Sequence, residues 1–405
     1  MAFKIVYFLI IFTFGFSIHA SAEIHEKAAF VRDHHLWIKD GDSEIQITKD
    51  HFAYNPQWSK DGRFLGFLKG EEDGSNQHLF IYDTIEKETF QPVSMETTSF
   101  KWSPISNVIA FKDQGLLNVT KIKNGRPYGF ENVALGVGSY EWYPDGQSFI
   151  ASSTSNLLPT GWEPVSIYQI PVDAKLDTAK VKTLYTLPKM TDDFFAIDAE
   201  DFKWSADGKW VSFMATPTAS WSMDSNTLCV LSSDGKVFQM VTKMLGFYDW
   251  FKWAPIKNQL AYISGEGRFF VENKNATVKD IPSTRKPTNF TPAGFVDLDI
   301  EWFSEDEIIV ARAKENKEWK EGPVPTMYTA FYLINIKTGE QKQMTFPKDN
   351  EIDTAPQVID SNVTWLRHSP NQNQYDVWMK PSIHGQERLW LQNVGTAPTF
   401  YEKIN

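Results

Sequence analysis

Trp58-Ser59-Lys60-Asp61-Gly62-Arg63-Phe64-Leu65-Gly66-Phe67 returns as Trp142-Tyr143-Pro144-Asp145-Gly146-Gln147-Ser148-Phe149-Ile150-Ala151 and as Trp204-Ser205-Ala206-Asp207-Gly208-Lys209-Trp210-Val211-Ser212-Phe213. A repeat at this spacing decides the architecture before any single segment is read. A variant without Asp-Gly occurs twice, as Phe100-Lys101-Trp102-Ser103-Pro104-Ile105-Ser106-Asn107-Val108-Ile109-Ala110-Phe111 and as Phe251 to Tyr262; seven of these twelve positions are identical. Looser copies begin at Trp302 and at Pro356, the last leading into Val363-Thr364-Trp365-Leu366.

Each copy reads as strand, tight turn, strand. Asp-Gly supplies the positive φ values of a hairpin turn, and the residues after it alternate in character. A second hairpin follows each copy, as at Leu79 to Asp83, at Thr227 to Leu231 before Ser233-Asp234-Gly235-Lys236, and at Ala330 to Ile334 before Lys337-Thr338-Gly339-Glu340. Four antiparallel strands per repeat make an all-β fold, a β-propeller of four-stranded blades. Seven copies of the first hairpin are visible. Ala28 to Arg32, Leu36 to Lys39 and Glu44 to Thr48 supply three further strands, for which Thr399 to Lys403 would provide the innermost partner. That arrangement closes the ring through the chain ends and favours eight blades over seven.

The Trp-Ser-x-Asp-Gly unit followed by an Ile-Ala-Phe-like strand resembles the TolB-like propeller repeat over nearly the whole of residues 23–405. The resemblance implies a fold found in a cell-envelope translocation protein, in gating domains of prolyl oligopeptidase-like peptidases, in polysaccharide lyases and in binding proteins. Fold alone warrants no activity.

Met1 to Ala22 has the form of a secretory signal: Lys4, an apolar run from Ile5 to Ile18, then Ala20-Ser21-Ala22. Cleavage is expected after Ala22, leaving one propeller domain over residues 23–405 in a periplasmic, cell-envelope or secreted setting of bacterial type. The formal net charge of −11, and the absence of any basic run, disfavour nucleic acid and anionic membrane surfaces. Cys229 is the only cysteine, so no intramolecular disulfide holds the fold. It sits in an apolar run and is expected to be a buried core residue.

In a four-stranded blade, the first-to-second and third-to-fourth connections share one face. The short turns at Asp40-Gly41, Asp61-Gly62, Asp145-Gly146, Asp207-Gly208 and Asp234-Gly235 fall there. The long segments Ser153 to Val165, Met190 to Ala199, Thr216 to Asn226, Ile281 to Gly294 and Ala313 to Met327 are assigned to the other face, where function concentrates on a rigid scaffold. They carry Trp162, Trp221 and Trp319 in three second-to-third-strand connections, and Asp192-Asp193-Phe194-Phe195 between blades. With Asp201 and Asp299 these make the expected ligand-binding set, suited to a protein, peptide or glycan. Asp198, Glu200, Asp297 and Glu301 add to an acidic gathering near that face.

No cofactor is expected. These oxygen donors would suit a hard cation such as calcium, but no run has the spacing of a calcium loop. His34 and His35 open a strand and so face opposite ways, and His25, His51, His78, His368 and His384 are scattered without zinc spacing. No Gly-x-Ser-x-Gly elbow or phosphate-cradling loop occurs, and the propeller consumes the chain, which argues against an oligopeptidase. The resulting expectation is an exported, non-enzymatic binding or interaction module. The alternative is a carbohydrate-active lyase or hydrolase using Asp201 and Asp299 as acid, base or metal ligand, since paired carboxylates are the minimum for that chemistry.

Overall fold

The computed structural model describes residues 27–401, so the expected signal peptide and the last four residues lie outside the described part. Eight four-stranded antiparallel sheets stand around a central axis, with an added two-stranded hairpin, Leu157–Leu158 with Gly161–Trp162. We number the blades by their innermost strands: blade 1 Thr399–Phe400, blade 2 Phe52–Trp58, blade 3 Phe100–Trp102 and blade 4 Val137–Trp142. Blades 5 to 8 follow at Asp198–Trp204, Phe251–Trp253, Phe295–Ser304 and Ile352–Ile359. The expected ring closure is present: Ala28 and Ala29 pair with Phe400 and Thr399, joining the two ends of the chain in one sheet.

The turn chemistry explains the repeat. Ser59 Oγ donates to Asp61 Oδ1 at 2.8 Å, the same carboxylate oxygen accepts the Arg63 amide at 3.0 Å, and Ser59 Oγ accepts the Phe64 amide at 2.9 Å. Gly62 follows with φ 67°, a region open to glycine at no steric penalty. Ser205, Asp207, Gly208 and Trp210 repeat this turn bond for bond. The variant copies complete it from the next blade. Asn107 donates to Asp61 Oδ2 at 2.8 Å, and Asn258 donates to Asp207 Oδ2 at 3.0 Å. The two repeat types are therefore donor and acceptor of one inter-blade contact.

The tryptophan links blades as well. Its indole N–H crosses to a carbonyl on the innermost strand of the preceding blade: Trp58 to Thr399 at 3.0 Å, Trp102 to Gln57 at 3.0 Å and Trp142 to Lys101 at 3.2 Å. Trp204 reaches Trp142, Trp253 reaches Lys203 and Trp302 reaches Lys252, at 2.8 to 2.9 Å. An innermost strand is an edge strand, so half its peptide groups lack a ladder partner; the indoles satisfy some of them. The apolar core is divided among the seams between blades, with Phe64, Leu79, Ile81, Phe100 and Phe111 filling that between blades 2 and 3. Gly66 makes this approach close, since a Cβ there would stand 2.7 Å from the Phe100 ring. Cys229 lies fully buried within the seam of blades 4 and 5, where burial pushes its thiol up.

Trp102→Phe keeps the ring and removes the donor, leaving the Gln57 carbonyl without its partner. We expect a loss of about 1–2 kcal/mol in urea unfolding. Trp221→Phe, at an exposed position without an inter-blade bond, should leave the midpoint unchanged.

Candidate functional site at the channel mouth

In each of seven blades the residue before the tryptophan position is polar and half-buried: Gln57, Lys101, Glu141, Lys203, Lys252, Glu301 and Gln357. The glutamines and lysines reach forward to the next blade as the indoles point back, and Glu141 and Glu301 receive the lysines of the blades before them. Lys101 pairs with Glu141 of the next blade at 2.5 Å, and Lys252 with Glu301 at 2.6 Å. Gln57 donates to the Phe100 carbonyl and Gln357 to the Pro398 carbonyl, at 3.1 and 3.2 Å. Lys203 bonds the Tyr248 and Phe251 carbonyls and pairs with Asp201 at 3.0 Å. This column is what reading each copy separately misses; aligning the copies shows one position that is polar in all seven of these blades.

Two to three residues earlier, nearer the long-loop face, the innermost strands of blades 2, 4, 5, 7 and 8 bulge against their neighbours. Asn55, Asp201 and Ala355 take φ of 48°, 54° and 52° there. A bulge re-aims side chains. Asp201 turns to Lys203, while Asp299 accepts the Ala355 amide of blade 8 at 2.9 Å. Blade 8 carries Val358 and blade 1 Phe400 where the other six carry tryptophan, and at the seam of blades 7 and 8 Asp299 supplies a bond where no indole crosses.

Burial pushes Asp299 up to about 6, opposed by the Ala355 amide and Lys252 and assisted by Asp249 and Glu301. Burial also raises Asp201 and lowers Lys203, against their mutual attraction. Lys252 is held above its ordinary value: burial opposes its charge, but Glu301, Asp249 and Asp299 outweigh burial. Asp249 is exposed and makes no ion pair among the described residues. Burial raises the Tyr248 hydroxyl, with Glu200 adding to it.

The structure joins some of the expected set and separates the rest. Asp201 and Asp299 both belong to the channel-mouth network. Phe195 meets Trp221 edge-on at 5.5 Å, and Trp319 meets Phe269 edge-on at 4.7 Å, all on the long-loop face. Phe194 turns inward into the seam of blades 4 and 5, and Trp162 stands apart in the added hairpin. Asp192 and Asp193 are exposed. Asp297 is buried in a pair with Arg312 at 2.7 Å and is a structural charge.

Two expectations are corrected. Ile281 to Gly294 does not lie on one face: Thr288–Asn289 is the fourth strand of blade 6, so residues 281–287 form a third-to-fourth connection on the short-turn side, and only 290–294 reach the long-loop side. The long connection of blade 6 on that side is 265–274, where Gly265 has φ 127° and Lys274 is buried against the Glu266 and Glu272 carbonyls. His34 is not in a strand. It takes φ 67° in the turn before His35–Asp40 and its ring meets Phe52 at 4.3 Å. Among the described residues, no three His, Cys, Asp or Glu side chains converge as metal ligands.

No family model matches the chain, and no curated protein matches it in sequence. Solved structures share its fold. A puromycin hydrolase complexed with PGG superposes with a TM-score of 0.54 at 11% identity, over 86% of this chain and 55% of that one. A prolyl endopeptidase gives 0.54 at 11%, over 87% and 50%. The dihydro-heme d1 dehydrogenase NirN in complex with DHE gives 0.59 at 12%, over 94% and 75%. The chain spans about half the length of these two peptidases.

These likenesses establish the propeller, and they correct the functional expectation. The non-enzymatic binding module rested in part on the missing nucleophile elbow and on a propeller that fills the chain, and its carbohydrate-active alternative on Asp201 and Asp299 as paired carboxylates. The three structures just named are enzymes, and in the puromycin hydrolase and the prolyl endopeptidase the matching part is about half of the protein. The lack of a hydrolase motif within a propeller therefore does not argue against an enzyme.

Asp299 gives a pH signature. Its folded value of about 6 lies above the ordinary 3.8, so its protonated form is the one the fold favours. Its contribution to stability is present below about pH 4 and is lost as pH rises through about 6. Asp299→Asn keeps an acceptor for the Ala355 amide, so the difference in urea midpoint between wild type and variant should grow across that window. A pH-independent difference would show that Asp299 does not titrate there.

Proposed function

We propose that the chain is the propeller part of an enzyme acting on peptides or peptide-like amides, with substrate recognised at the channel mouth on the long-loop face. One observation carries the reading: the charge in the mouth is not balanced out. Blades 3 and 4 pair Lys101 with Glu141 one to one. Blades 5 to 7 instead bring Asp201, Asp249, Asp299 and Glu301 against Lys203 and Lys252, and burial holds Asp201 and Asp299 above the ordinary carboxylate range. Perturbed groups gathered in a cleft mark sites more often than scaffolding. A peptide offers such a mouth amide donors and acceptors in series, together with terminal charge.

The fold shared with a puromycin hydrolase and a prolyl endopeptidase supports this class, and the half-length coverage supports placing the hydrolytic step outside the propeller. The Trp-Ser-x-Asp-Gly copies support a TolB-like repeat type, and Met1 to Ala22 supports export and work outside the cytoplasm in a bacterium.

The test is calorimetric titration with a tetrapeptide amide and, for contrast, an oligosaccharide of similar mass. The peptide should bind, and Asp201→Asn should weaken it about tenfold, the size of one charge-assisted hydrogen bond. Asn tolerates the positive φ of this position, so the fold is kept. Binding of the oligosaccharide and not the peptide would overturn the reading.

A further inference from the structure

The long-loop face carries its exposed apolar side chains on one half of the ring, from Leu135 between blades 3 and 4, through Leu157, Leu158 and Met190, to Phe346 between blades 7 and 8. Over blades 5 to 7 it exposes Trp221 at 51%, Met223 at 57%, Phe247 at 44%, Tyr248 at 45% and Phe269 at 39%. The matching second-to-third-strand connections of blades 8, 1, 2 and 3 read Ser369-Pro370-Asn371-Gln372-Asn373-Gln374, Asp33-His34, Glu71-Glu72-Asp73-Gly74-Ser75-Asn76-Gln77 and Gln114-Gly115. None of these carries a large apolar side chain. Single exposed apolar residues are ordinary on any surface, but a row of them confined to one arc is not.

The arc is built to stay in place. Phe195 braces Trp221 edge-on, and Phe269 braces against Trp319 in the same way. Between them, Asp224 and Arg268 form a two-pronged ion pair, both contacts at 3.0 Å, that ties the blade 5 connection to that of blade 6. Aromatic side chains held this way present area with little conformational freedom left to lose on binding.

Charge at the inner end of the arc identifies the occupant. Phe247 and Tyr248 lead directly into Asp249, which is exposed and without an ion pair among the described residues. Asp201, Asp299 and Glu301 lie behind it, and Lys203 and Lys252 neutralise only part of that charge. The whole chain is acidic, so its field also favours an approaching cation. Apolar surface and carboxylate are adjacent, with no spacer between them. A free N-terminal ammonium stands one atom from its own Cα and so matches that adjacency, whereas a lysine ammonium sits at the end of a four-carbon stem.

We propose that this arc docks the N-terminus of a peptide that begins with apolar residues, its free ammonium at Asp249 and its first side chains on Trp221, Phe195 and Phe269. This rests on the peptide reading above and adds which end is held and by what.

The test compares Phe-Leu-Gly-Gly amide with its N-acetyl form by calorimetry on the full chain at pH 7. The free amine should bind about tenfold more tightly, and added salt should shrink the difference. Asp249→Asn, at an exposed position, should bring the free amine down to the affinity of the acetylated peptide and leave the latter unchanged. Trp221→Ala should weaken both. Equal affinity of the two peptides, or an Asp249→Asn variant that keeps the preference, overturns the inference while the peptide reading stands. Binding of neither peptide removes the peptide reading itself. A free protein whose mass doubles with concentration, unless Trp221 is Ala, overturns the inference by assigning the arc to a second copy.

Discussion

Everything in this propeller hangs on an edge. Eight innermost strands face a common axis, and each has one side with no strand to pair with. A buried peptide group without a partner costs about as much as a lost hydrogen bond, so a ring of such edges needs donors and acceptors from elsewhere. The repeat supplies them in two directions at once. In blades 2 to 7 an indole N–H reaches back to the previous blade, and beside it a polar side chain bonds or pairs across a seam. The tryptophan is kept for this donor as much as for its bulk. Where the column changes to Val358, the carboxylate of Asp299 crosses the seam instead and takes the Ala355 amide.

The same logic operates at the rim. A turn carboxylate used only within its own hairpin would leave one oxygen to solvent. Here Asp207 gives one oxygen to its own turn and the other to Asn258 of the next blade. Burial opposes its charge, but these bonds together hold the carboxyl down to about 2. The loss of Asp-Gly in the copies at Phe100 and Phe251 is therefore not decay. Those copies carry the donors, Asn107 and Asn258, that the preceding copies need.

These relations set what the sequence could disclose. Strand-turn-strand units, their number and the closure by Thr399–Phe400 were legible because each follows from local pattern: Asp-Gly for turns, alternation for strands, and a shortfall of one strand at the start met by a surplus at the end. The polar column before the tryptophan was present in the same letters. Its meaning lies between copies, in what Lys101 meets at Glu141, and no copy shows that alone. Residues 281–294 went to one face because a strand of two residues, Thr288–Asn289, leaves no periodicity to read. Phe194 and Phe195 are neighbours in sequence and end on opposite sides of a surface, one filling a seam and one bracing Trp221; adjacency in a loop carries no face. The functional class was the least legible. A missing hydrolase motif does not mean missing chemistry, because a propeller can be one half of an enzyme.

A polar channel is then no evidence of a ligand, because the unpaired edges require polarity in any ring of this kind. Function has to be sought in what exceeds that requirement. Around blades 2 to 4 the requirement is met and no more: Gln57 bonds a carbonyl, and Lys101 and Glu141 cancel. Around blades 5 to 7, Asp249 bonds no backbone group among the described residues, and Asp201 is held at positive φ beside Lys203, whose charge burial opposes. Strain and uncompensated charge persist where the surrounding structure fixes them, and they cluster where a protein does its work. Exposed aromatics crowd the same sector, whereas the exposed loop carboxylates of the opposite sector, Glu71, Glu72 and Asp73, have no exposed aromatic side chain in their connection. Two departures from the needs of the fold, one electrostatic and one apolar, coincide on one side of a ring whose repeats would otherwise treat every side alike. That coincidence is what supports placing the proposed site there.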